Sequence, residues 1–151
     1  MNNINRDTVS AKQEVRLIGP DNLIVPLPAR LSYSRQDPYA LTMSFDPGMG
    51  EPVEWTFSRD LLASSLHGPE GIGDVRAWPS VALPNLAEGA AQAGEKILNI
   101  MLGSPSGRAC FEASAAAIEV FLARTYELVP DGQETAFLNL DAELAELLSQ
   151  D

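Results

Sequence analysis

Residues 37–79, DPYALTMSFDPGMGEPVEWTFSRDLLASSLHGPEGIGDVRAWP, hold nearly every strong local signal in the chain. Tyr39, Leu41, Met43 and Phe45 alternate with Ala40, Thr42 and Ser44, which gives an extended segment one large apolar face and one small polar face. Val53, Trp55 and Phe57 alternate with Glu54 and Thr56 in the same way. Between them, Asp46-Pro47-Gly48-Met49-Gly50 is dense in turn formers, so the two strands are expected to pair as a hairpin. Burying a side chain such as Trp55 or Phe57 is worth about 1.5–3 kcal/mol, which makes this ribbon the expected nucleus of the core. A two-stranded ribbon alone is marginal, so further elements must cover it.

The apolar period then changes from two to three or four. Ser58 can cap a short helix, Asp60 stands in its first turn where the helix dipole favours a carboxylate, and Leu61, Leu62 and Leu66 form its apolar face. Gly68 followed by Pro69 stops it. After a turn at Gly71-Ile72-Gly73, residues 74–78 read as another strand that Pro79 closes. Strand, strand, helix, strand in so short a span predicts an α+β fold built on antiparallel β-sheets packed with helices.

Upstream, residues 1–11 are polar and expected to fray, leaving 12–151 as a single domain. Val15 and Leu17 alternate with Glu14 and Arg16, Gly19-Pro20-Asp21-Asn22 makes a turn, and Val25, Leu27, Ala29, Leu31 and Tyr33 line one face of a long second strand. Pro26 and Pro28 lie on its opposite face. Proline cannot donate to a ladder, so the first half of this strand should run along a sheet edge or protrude from it, and that edge is a candidate for adding a partner.

Downstream, residues 80–94 are rich in Ala, Gly and Pro without a clean period and are assigned to a surface loop. Residues 96–102, KILNIML, are apolar on both faces, as in a central strand covered on both sides. Ser104-Pro105-Ser106-Gly107 fits either a turn or a helix start; the alternation of Arg108, Cys110 and Glu112 with Ala109, Phe111 and Ala113 favours a second hairpin. Ser114 then caps a helix whose stripe is Ile118, Phe121, Leu122 and Thr125, running to about Leu128 before Pro130. A last helix over residues 141–149 carries Leu140, Leu144, Leu147 and Leu148 at i, i+4, i+7 and i+8.

Composition narrows the function classes. With 151 residues the chain is long enough for one domain with its own core. Ten Lys plus Arg against 21 Asp plus Glu give a formal charge of −11, a field that repels phosphate backbones and anionic lipid. The only lysines are Lys12 and Lys96, too few for a polyanion-binding cluster. Cys110 is the one cysteine, so neither an intrachain disulfide nor a cysteine zinc cluster can form, which fits a reducing compartment. The N-terminal residues lack the apolar core of a signal peptide and no run approaches the ~20 residues needed to span a bilayer, so a cytoplasmic location is expected.

A catalytic reading needs a nucleophile with its base, a carboxylate pair in a cleft or a ligand cluster, and the sequence displays none. His67 stands in the last turn of the short helix and is expected to interact with that helix terminus. Cys110, in an alternating strand, reads as a packed small residue. Gly68, Gly71 and Gly73 lack the strand-glycine-helix order and the Lys-Ser/Thr pair of a phosphate loop. Arg59, Asp60, Asp74, Arg76 and Arg124 are expected to form surface or structural ion pairs around the short helix. No catalytic, cofactor-binding or metal-ligating residue is therefore assigned.

The C-terminal helix offers the one candidate recognition surface. From Asp131 onward the chain carries Glu134, Asp141, Glu143, Glu146 and Asp151 with no basic residue, so its leucines are flanked by negative charge. Docking on the chain's own core is the commoner fate of such a stripe. The alternative is a partner-binding helix, for which Leu140, Glu143, Leu144, Leu147 and Leu148 are the candidate residues.

Asp37-Pro38-Tyr39-Ala40, Val53-Glu54-Trp55, Phe57, Arg59-Asp60-Leu61-Leu62, Gly73-Asp74-Val75, Trp78-Pro79, Ser104-Pro105, Phe121-Leu122, Arg124-Thr125 and Val129-Pro130 together resemble the SsgA-like proteins of sporulating actinomycetes, closest to the SsgB branch. The resemblance covers almost the whole chain. It implies a developmental regulator of sporulation septation that acts without catalysis and, in the SsgB branch, helps bring the tubulin-like division protein FtsZ to septum sites together with SsgA. It also implies a fold similar to the Whirly type of single-strand nucleic-acid-binding protein, assembled as a trimer. Two departures stand out: the loop over residues 80–94 is longer than the family pattern, and Ser114 stands where that pattern has proline. A Whirly-like nucleic-acid-binding module is the second reading, carried by fold analogy alone and opposed by the charge.

Overall fold

The computed structural model describes residues 7–46, 48, 50–105, 107–136, 144 and 146–148. Eight strands form one antiparallel sheet: β1 (Thr8–Ile18), β2 (Ile24–Ser34), β3 (Asp37–Phe45), β4 (Val53–Ser58), β5 (Glu70–Ile72), β6 (Val75–Val81), β7 (Lys96–Ser104) and β8 (Gly107–Ser114). Helix α1 (Arg59–Ser65) joins β4 to β5, and α2 (Ala115–Leu128) follows β8. The sheet order is β4-β3-β2-β1-β8-β7-β6-β5, so an α+β architecture is present as one continuous sheet.

That sheet is curled. Phe45 on β3 and Phe111 on β8 are three strand steps apart, which on a flat sheet is about 14 Å. Their rings nevertheless stack with centroids 4.3 Å apart, so the two half-sheets fold toward each other around a shared interior. Helix α1 packs on β3 and β4 from one half and on β5 and β6 from the other, while α2 lies over β1, β7 and β8. The core consists of inward residues from both halves and both helices, among them Val15, Leu31, Leu41, Met43, Phe57, Leu62, Leu98, Ile100, Ile118 and Phe121.

The expected hairpin of β3 and β4 is present, with Leu41 opposite Phe57, Met43 opposite Trp55 and Phe45 opposite Val53. Both predicted helix starts also hold. The Ser58 hydroxyl accepts from the Leu61 amide and the Ser114 hydroxyl from the Ala117 amide. In α2 the buried residues are Ala115, Ile118, Phe121, Leu122 and Thr125. Strand β7 is buried on both faces: Ile97, Leu98 and Ile100 are covered, and Asn99 between them donates to the Trp78 carbonyl and the Ser80 hydroxyl.

Several boundaries move. Strand β1 begins at Thr8, inside the segment expected to fray up to residue 11, because Thr8 to Ala11 pair with Ser34 to Leu31 of β2. Gly71 and Ile72, read as part of a turn, belong with Glu70 to β5, which pairs with β6. Pro79 does not close β6, which continues to Val81: β5 pairs only as far as Ala77, so beyond it a residue without an N–H leaves the ladder with β7 intact. Val53 and Tyr39 are 48 % and 45 % exposed, so the inward face of the hairpin is narrower than alternation implied.

Strand β2 is internal, but its first half does protrude: β3 pairs with it only from Ala29 to Ser34. The Pro28 carbonyl accepts from the Asp46 amide and so points away from β1. N–H and C=O of one strand residue point to the same side, so the missing donors of Pro26 and Pro28 face the unpaired edge. Gly89 of the 82–95 loop, in the left-handed region at φ 84°, lies where a Cβ would meet Ile24 and Pro26 at 3.5 Å. The edge is thus both short of donors and packed against a loop, a poor template for adding a strand.

Candidate partner-binding site

Three of the five residues named for recognition fall within the described structure. Leu144, Leu147 and Leu148 are helical and 48 %, 64 % and 85 % exposed, so they are not seated in the core as the commoner fate of such a stripe would require. Leu140 and Glu143 lie outside the described residues, as does part of the helix expected over 141–149. Glu146, between the leucines, is exposed.

The segment leading there is fastened by Arg59, one of the residues expected to form ion pairs around the short helix. Arg59 opens α1 and is completely buried. Its guanidinium lies 4.8 Å from the ring centroid of Tyr33 on β2 and 4.1 Å from that of Tyr126 on α2, positions at which the negative faces of the rings attract a cation. Nη1 donates to the carbonyls of Thr125 and Val129, the end of α2, and Nη2 to Glu134 Oε2 at 2.8 Å. No basic residue occupies the last turn of α2 itself. Arg59 therefore supplies from another helix the positive charge that helix C-termini favour. Among the described residues Nε has no hydrogen-bond partner.

A second fastening joins the same segment to β3. Tyr39 turns outward and its hydroxyl shares a hydrogen bond with Thr135 Oγ1. Tyr33 donates its own hydroxyl to the Pro38 carbonyl, which holds the start of β3 beside the clasp.

Electrostatics follow from this packing. Burial alone would raise the Glu134 carboxyl, but the amides of Glu134 and Gly132 and the Arg59 guanidinium outweigh it and hold the group below its usual range. Burial pushes the Tyr33 hydroxyl up to about 12 against the opposing pull of Arg59, and raises Tyr126 for the same reason. Carboxylate oxygens of Asp60, Asp131 and Glu134 lie within 4.8 Å of one another, and Glu134 is engaged by Arg59 through Oε2.

The remaining candidates take ordinary places. His67 is exposed, and its backbone amide donates to the Ser64 carbonyl. Cys110 is half-buried, with its thiol pushed up first by burial and then by Glu112. Arg16, which had no assigned role, pairs with Glu112 at 3.1 Å and lies 3.8 Å from Glu95, linking β1 to β8 and to the end of the loop. Arg124 donates to the Ser10 carbonyl across α2 and β1. The signal that could have exposed Arg59 is its position: a cation in the first turn of a helix opposes the dipole and needs another reason to be there.

Residues 27–134 match the family described as Streptomyces sporulation and cell division protein, SsgA. The chain belongs to the SsgA family. Among the relatives of this SsgA-family chain is the sporulation-specific cell division protein SsgB of Thermobifida fusca, 46 % identical over 142 residues that make up 94 % of this chain and 96 % of the relative. SsgB of Streptomyces coelicolor is 43 % identical over 143 residues, 95 % of this chain and 97 % of the relative. A solved SsgA-like sporulation-specific cell division protein from Thermobifida fusca superposes with a TM-score of 0.79 at 46 % identity, covering 92 % of this chain and 94 % of the other. A second solved chain, from work relating mutations in SsgB to longitudinal cell division during sporulation of Streptomyces coelicolor, gives 0.76 at 44 % identity over 86 % and 94 %. Among the described residues of the SsgA-family chain, no helix is long and apolar enough to cross a membrane.

Proposed function

We propose that this chain is a non-catalytic adaptor of sporulation-specific cell division that works in the cytoplasm and is recruited to the septum. There it helps place FtsZ, in company with an SsgA-type protein. Membership of a sporulation and cell division family supports the general role, and FtsZ is the partner that the SsgB-branch resemblance implies. The observation that carries an adaptor reading is the exposure of Leu144, Leu147 and Leu148 on helical residues beside the acidic Glu146. An amphipathic helix with its apolar side open to solvent is a common protein-recognition device. The trimer and the Whirly-like arrangement belong to the same proposal and rest on the same resemblance.

Co-sedimentation with FtsZ polymers tests the reading directly. The wild-type chain is expected to pellet with polymer, and a Leu144→Ser, Leu148→Ser double variant to remain folded and stay in the supernatant. Failure of the wild-type chain to associate, together with normal septa after gene deletion, would overturn it. Sizing by light scattering tests the trimer separately.

A further inference from the structure

We propose that Arg59 is a positioning residue for the recognition segment: by gripping the end of α2 and Glu134 it fixes where the chain leaves the sheet and so presents Leu144, Leu147 and Leu148. This rests on the adaptor reading above and names the device that makes that surface available. All three hydrogen bonds of the buried guanidinium land on residues 125–134, and Tyr126, one of its two aromatic neighbours, belongs to the same stretch. Arg59 thus ties the first turn of α1, which spans both half-sheets, to the end of α2 and the chain beyond it.

A buried ion pair is a costly way to gain stability, because desolvating both charges offsets most of their attraction. Its better-attested use is to select one arrangement over others, here the exit path of the chain after Val129. The Tyr39–Thr135 bond points the same way, since an aromatic side chain on the hairpin turns out of the core to reach the residue after Glu134.

Two variants and two readouts test this. Glu134→Gln removes the charge while keeping the shape, and the Tyr39→Phe, Thr135→Val double variant loosens the exposed fastening should the buried change prevent folding. Each is compared with the wild-type chain and the Leu144→Ser, Leu148→Ser variant by FtsZ co-sedimentation and by amide hydrogen exchange. In variants whose circular dichroism shows an intact sheet, exchange of peptides covering residues 129–136 should rise while β7 stays protected, and FtsZ affinity should fall about tenfold. Restoring the carboxylate as Glu134→Asp should recover part of that loss, which a purely structural packing role would not require.

Unchanged exchange and unchanged binding in both variants would overturn the positioning role. If the wild-type chain fails to bind FtsZ, the adaptor reading falls. The exchange arm then still decides whether the clasp orders the segment. If the leucine variant binds as wild type, the presented surface is not the leucines and the positioning role falls with them.

Discussion

Two helical stretches with apolar residues three and four positions apart share one sequence pattern and meet opposite fates. On α2, Ile118, Phe121 and Leu122 are at most 3 % exposed, whereas Leu144, Leu147 and Leu148 are each about half exposed or more. The difference lies in what stands opposite. The α2 stripe faces the interior of a curled sheet whose inward residues from β1, β7 and β8 remain to be covered, and covering them adds about 1.5–3 kcal/mol per large side chain. Among the described residues no such surface receives the three C-terminal leucines. Periodicity specifies that a helix has an apolar face; it does not specify that the face is spent on the chain's own core.

The strongest way to break this contrast is Phe121→Ala. It should cost about 3–5 kcal/mol, read as a lowered urea midpoint, because a cavity opens where the helix meets the sheet. Next is Arg59→Met, which strands the Glu134 carboxylate in a buried site and should cost about 3 kcal/mol by the same measurement. Replacing both partners, Arg59→Met with Glu134→Leu, should recover most of that loss while leaving the C-terminal segment less well anchored.

Acid probes the same pair. The Glu134 carboxyl is lowered relative to its reference of 4.5, so the stability it contributes is present above that pH and is lost as pH falls below it through the folded value. The groups facing it are Arg59 and Asp60 from α1, Tyr33 from β2, Tyr126 from α2, and Asp131. Of these, Asp60 and Asp131 are exposed, whereas the tyrosines, with hydroxyls raised by burial, are neutral throughout. Urea midpoints measured down through that range should fall in the wild-type chain and fall less in Glu134→Gln.

Smaller effects sharpen the comparison. Ser114→Ala removes the α2 cap bond and should cost about 1 kcal/mol, enough to lower the thermal midpoint measurably. Leu144→Ser with Leu148→Ser should shift stability by no more than about 0.5 kcal/mol per site, as expected of side chains that face solvent. A large loss from the leucine pair would mean that the two stretches are alike after all.

Where local rules suffice, the reading from residues matches the fold closely. Alternation from Leu41 to Phe45 and from Trp55 to Phe57, the serine caps at 58 and 114, the two-sided burial of β7 and the 118-121-122-125 stripe are all present. Two departures from local expectation gather around one place. Tyr39, on the large apolar side of its strand's alternation, reaches outward to Thr135, while the ion pair expected of Arg59 forms in the interior, with Glu134 beyond α2 and beside Tyr33 and Tyr126. Both belong to the fastening of the chain after α2, and both depend on partners far away in sequence.

Spacing and end chemistry settled strands, caps, turns and the absence of a polyanion-binding charge pattern, because each depends on residues within a few positions of one another or on composition. Burial did not follow from spacing, since it is decided by whatever surface arrives opposite once the sheet has curled. Arg59 and Glu134 stand 75 positions apart. Only the tertiary structure could show that a charge at the start of one helix is neutralised beyond the end of another, because a cation enters a low-dielectric interior only where folding has already gathered carbonyls, rings and a carboxylate to receive it.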